Sequence, residues 1–150
     1  MRRAVEEAIE KAIKREQGSY TLYSSLLKKA KNTNTQALFR TLALQEMKHE
    51  ALLKEYLKTG DMMDAKDHIN SMYVDENIKI VENLNASVST AGIEEGIQLA
   101  IKKERNAQSF YEDMIERTDS EVLKDVLWEI HMEEKQHERL LRKEYHKLFG

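Results

Sequence analysis

No cysteine occurs among the 150 residues, which removes disulfides, thiolate zinc sites and cysteine-ligated iron–sulfur centres from consideration. Proline is also absent and glycine appears only five times, so little in the chain interrupts a long helix. No apolar run approaches the roughly 20 residues of a membrane-spanning helix, and no membrane partner is expected. With a formal net charge of -3 and no basic block, nucleic acid is not expected as a partner either. The opening Met1-Arg2-Arg3-Ala4 passes straight into a segment carrying Glu6, Glu7 and Glu10. It lacks the apolar region of a signal peptide, so a cytoplasmic location is expected.

What is present is charge and helix-forming residues. Charged side chains make up 34% of the chain, a share typical of long amphipathic helices, and residues 1–150 suit a single domain. Val5, Ile9, Ala12, Ile13, Tyr20, Tyr23 and Leu27 mark one face of a helix over about residues 2–31. Asn32-Thr33-Asn34 offers a turn and an N-cap. A second helix follows to about residue 58 on Leu38, Leu42, Glu46, His49, Leu53 and Tyr56, with Gly60 as its stop. Residues 59–90 are less regular and read as a crossover with one or two short helices (Ile69, Met72, Tyr73; Ile78, Val81, Leu84). Ser89 or Thr90 can cap a third helix over about residues 91–117, on Ile93, Ile97, Ala100, Ile101, Glu104, Tyr111, Met114 and Ile115. Thr118-Asp119-Ser120-Glu121 has capping-box spacing and starts a fourth helix reaching about residue 148. The expected fold is all-α: an antiparallel four-helix bundle with a long crossover between helices 2 and 3.

The stretch from Trp128 to Leu141 carries an anomaly. Leu127, Ile130, Glu134, His137 and Leu141 share one stripe, so a carboxylate and an imidazole occupy the middle of a core-facing surface. An ionised carboxylate buried without a partner costs several kcal/mol. The same pattern occurs twice at an offset of 88 residues, in segments 4–58 and 92–146. Glu16 lies over Glu104, Tyr23 over Tyr111, Glu46 over Glu134 and His49 over His137. Each lone Glu precedes its Glu-x-x-His by 30 residues. The chain therefore climbs and descends roughly 20 Å each way at ~1.5 Å per residue, and the paired residues come level on neighbouring helices. Two such hairpins bring four carboxylates and two imidazoles to one height. No Lys or Arg on the inward stripes offsets the charge. Two divalent ions do, and this oxygen–nitrogen set suits iron, or manganese, better than a thiophilic metal.

At these residues the chain resembles the ferritin-like superfamily, and within it the rubrerythrin family, over both hairpins. The resemblance implies two iron ions (manganese being the other candidate), with Glu16 and Glu104 as terminal ligands, Glu46 and Glu134 as bridges, and His49 and His137 as one nitrogen ligand each. It implies that Tyr23 and Tyr111 hydrogen-bond ligand carboxylates and influence reactivity. The implied function is an oxidoreductase that reduces hydrogen peroxide or dioxygen. A ferroxidase or iron-storage protein is the alternative. Two features depart from the family pattern. Where rubrerythrins carry an extra Glu one turn after the lone Glu of the third helix, this chain has Ala107, with Ser19 at the matching place in the first half. The rubredoxin domain needs four cysteines that this chain does not have, so an external electron donor such as a rubredoxin-like protein is implied. A homodimer is expected. His131 reads as partly buried, His68 and His146 as solvated, Met62 and Met63 as filling gaps in the crossover, and Tyr20 and Trp128 as core or interface aromatics.

Overall fold

The computed structural model describes residues 2–60 and 92–150. Among them are four helices: α1 (Arg2–Lys29), α2 (Thr33–Thr59), α3 (Ile93–Arg117) and α4 (Glu121–Phe149). None is long and apolar enough to cross a membrane. The short helices and gap-filling methionines expected at 59–90 lie, from residue 61 on, outside the described residues, as does His68.

The helix ends follow local chemistry. Asn32 caps α2 from an extended backbone, its side-chain oxygen accepting from the N–H of Asn34 and Thr35. Gly60 closes the same helix at φ 72°, in the left-handed region open to glycine, with its N–H on the Tyr56 carbonyl. Two expectations need correction. Helix α3 is capped by Gly92, with no side-chain hydrogen bond, and starts later than expected. Glu94 and Glu95 in its first turn instead face the positive end of the helix dipole. The second correction concerns the turn after α3, where Thr118 does not cap α4. Its N–H already bonds to the Met114 carbonyl to close α3, while its hydroxyl accepts from the Ser120 N–H. Ser120 is the cap, accepting from Leu123 N–H at 3.2 Å.

Each helix turns one stripe inward. Leu127, Ile130, Glu134, His137 and Leu141 are all buried. Tyr23 pairs with Glu104 and Tyr111 with Glu16, so α1 and α3 run antiparallel. His49 meets Glu134 and His137 meets Glu46, so α2 and α4 do too. Gly60 lies beside Val5 and Arg117, whereas Gly96 lies against Leu26. The described chain thus leaves α2 at one end of the bundle and enters α3 at the other. At Gly96 a Cβ would stand 2.2 Å from Leu26 Cδ2, so the missing side chain admits the leucine between α1 and α3.

The apolar core is in two pieces. One gathers Ile9, Ile13, Leu53, Tyr111, Leu123, Leu127 and Ile130. The other gathers Leu26, Phe39, Leu42, Ile97, Ala100 and Leu141. Between them in sequence, on all four helices, come the glutamates and histidines of the repeat.

Candidate metal centre

Glu16, Glu46, His49, Glu104, Glu134 and His137 converge in the bundle interior, each no more than 2% exposed. They form two groups, one of Glu16, Glu46, His49 and Glu134 and one of Glu46, Glu104, Glu134 and His137. Within each group, one ligand atom per residue lies within 4.8 Å of all the others. Glu46 and Glu134 belong to both groups, while every other residue belongs to one.

The two rings stack with centroids 6.1 Å apart and turn Nδ1 toward the carboxylates. His137 Nδ1 is 3.1 Å from Glu46, 3.2 Å from Glu104 and 3.2 Å from Glu134. His49 Nδ1 is 3.4 Å from Glu16, 3.8 Å from Glu46 and 3.5 Å from Glu134. These approaches are not hydrogen bonds. Seven buried atoms of these six residues lack a hydrogen-bond partner: Glu16 Oε2, both oxygens of Glu46, Glu104 Oε2, Glu134 Oε1 and both Nδ1 nitrogens. Buried polar atoms normally find a partner, and a gathering of lone pairs with none is what a cation satisfies. Ligands ~2.0–2.2 Å from one ion and at right angles stand roughly 3 Å apart, close to the spacing around His137. The donor set of carboxylates and imidazoles fits hard to borderline divalent ions.

The electrostatics say the same. Burial, followed by the charges of Glu134, Glu16 and Glu104, raises Glu46 well above the ordinary carboxylate range. Burial and Glu134 push Glu104 up to about 7. Burial disfavours the charged form of both rings, yet the surrounding carboxylates outweigh it, raising His49 well above its ordinary value and His137 to about 9. Glu134 is lowered: burial opposes its charge, but the His137 ring 3.2 Å away and the positive charges of both rings prevail. Without metal, the cluster balances its charge with protons. Two divalent cations would displace them.

The remaining oxygens of the lone glutamates are held across the bundle. Tyr23 Oη donates to Glu104 Oε1 and Tyr111 Oη to Glu16 Oε1, both at 2.7 Å. Each tyrosine thus serves the opposite hairpin. Burial and the adjacent carboxylates raise both phenols well above their ordinary value, so they remain protonated donors. Two further residues escaped the sequence reading. His49 Nε2 meets Glu133 Oε1 at 3.3 Å, and His137 Nε2 contacts Gln45 Oε1. Gln45 and Glu133 are themselves related by the 88-residue offset, and that relation was the available signal.

Other candidates stand apart. His131 is buried, but it binds Glu112 at 2.8 Å and does not join the cluster. Trp128 is not a core residue: it is 54% exposed and stacks on His131. Tyr20 is half-buried and His146 exposed. Ala107 and Ser19 are buried and line a cavity of about 150 Å³ that reaches Glu16 and Glu134, with Arg15, Lys103 and Asn106 around it.

A family model described as Rubrerythrin matches residues 7–145. A solved structure described as a hypothetical protein from Pyrococcus furiosus shares the fold with a TM-score of 0.70, at 24% identity over 95% of this chain and 88% of that one. No curated protein matches.

Proposed function

The chain belongs to the rubrerythrin family, and from that premise we propose that it is a di-iron carboxylate oxidoreductase reducing hydrogen peroxide, or dioxygen, with electrons from an external donor. One observation carries this reading. Seven partnerless ligand atoms fall into two groups that share Glu46 and Glu134. In the proposed site Glu16 and His49 would hold one iron and Glu104 and His137 the other, with Glu46 and Glu134 available to both. Iron is the metal proposed, with manganese the alternative that the same donor set would accept.

A reduced iron pair supplies the two electrons that, with two protons, take one hydrogen peroxide to two waters. The protein supplies the rest. Its four carboxylates would offset the charge of a ferrous pair, and as oxygen donors they would favour the more highly charged ferric pair, with two neutral imidazoles completing the set. Tyr23 and Tyr111 hold Glu104 and Glu16 in one orientation without becoming ligands. The cavity beside Ser19 and Ala107 supports entry of a molecule as small as peroxide, and Arg15, Lys103 and Asn106 border its path.

The test is rapid mixing of the anaerobic, ferrous-loaded protein with hydrogen peroxide. Two irons per chain and oxidation well faster than that of free ferrous ion are expected. Oxidation no faster than free ion would overturn the reading. Accumulation of many irons per chain in a large shell would favour iron storage instead.

A further inference from the structure

The two halves of the centre match at almost every contact. Each lone glutamate receives one tyrosine at 2.7 Å, and each half gives one Glu-x-x-His. They differ behind the imidazoles. His137 donates from Nε2 to the side-chain oxygen of Gln45, which is neutral. His49 donates from Nε2 to the carboxylate of Glu133, which carries a charge. Both partners fix the same tautomer and leave Nδ1 free to face the cluster. Only Glu133 adds electron density to its ring and a negative charge behind it.

Gln45 and Glu133 occupy equivalent places in the repeat, so this is a difference between otherwise like sites. Glu133 stands 3.3 Å from His49 Nε2, in the place that Gln45 takes beside His137. Its side chain is 39% exposed, so solvent moderates the effect without removing it. Partners behind a metal-bound histidine commonly change metal affinity by about 10- to 100-fold.

We propose that Glu133 makes the position held by Glu16 and His49 the tighter of the two and the first to fill, while Gln45 leaves the position of Glu104 and His137 the weaker, more readily exchanged one. This rests on the two-metal reading above. Glu133 and Gln45 act through the imidazoles and are positioning residues.

The test uses zinc(II), which is diamagnetic and redox-silent, added to full-length protein with nitrogen-15-labelled histidine. Ring nitrogen shifts report which imidazole has gained a metal. One equivalent is expected to shift His49 Nδ1 and the second His137 Nδ1, with a preference of about tenfold or more. Glu133→Gln should abolish the order. The exchange Gln45→Glu/Glu133→Gln, which conserves composition, should reverse it. Both positions are only partly buried, so these isosteric changes should fold, as circular dichroism will check. If the first equivalent divides evenly in the unaltered protein, or fills His49 first in both variants, the inference is overturned while the two-metal reading stands. If no zinc binds, both fall.

Discussion

Glu46 leaves both its oxygens without a partner at 1% exposure, so in the proposed centre it has no role except to bind cations. Replacing Glu46 or Glu134 by Ala removes a side chain common to both groups, and both ions should be lost together. His49→Ala and His137→Ala each touch a single group and should weaken mainly one ion. Metal titration of the four variants decides this, and unchanged two-metal binding in Glu46→Ala would disprove the assignment. The tyrosines act differently. Tyr23→Phe or Tyr111→Phe deletes one buried hydrogen bond, worth about 0.5–1.5 kcal/mol net, and leaves every proposed ligand in place. Two metals should still bind, while the rate of oxidation by peroxide changes. Loss of metal from either variant would instead make the tyrosine essential to assembly.

At the scale of elements, periodicity was enough to place the helices and their inward stripes, because a buried face repeats every three to four residues whatever it packs against. The six clustered residues were legible for the same reason, since four glutamates and two histidines fall on stripes that otherwise carry aliphatics. What escaped depended on neighbours that a single helix does not reveal. Thr118 has the spacing of a cap, but its backbone N–H is already engaged by α3, and the next serine takes over. Trp128 reads as a core or interface aromatic, and its outward position on α4 removes the core half of that reading. Gln45 and Glu133 look like surface residues until the partner helix brings an imidazole to each. Two predictions belong here. Ser120→Ala should cost about 0.5–2 kcal/mol of stability through the lost cap, whereas Thr118→Ala loses no cap of α4 and should cost less. Gly96→Ala gains up to about 1 kcal/mol of helix propensity but forces the fully buried Leu26 to move, and overpacking costs typically 1–3 kcal/mol. A net loss in denaturant midpoint is therefore expected, and a gain would mean that Leu26 repacks freely.

Across the whole molecule, a polar layer interrupts the apolar core, so stability depends on what balances that layer's charge. In the metal-free protein the balance is made with protons. Glu104 is raised from 4.5 to about 7 and His137 from 6.5 to about 9. Between those limits each group keeps a proton in the folded chain that the unfolded chain has released. The folded state then binds more protons, and stability falls as pH rises. Glu46 and His49, also raised, act in the same direction. Glu134, which is lowered, opposes them only in acid. The metal-free melting temperature should therefore drop from about pH 5 to about pH 9. Cations bind the deprotonated ligands, so the stabilisation they add should grow over the same range. Thermal scans of the metal-free and two-metal forms should show a gap that widens with pH. A constant gap would mean that protons and metals do not compete for these six side chains, and the centre would have to lie elsewhere.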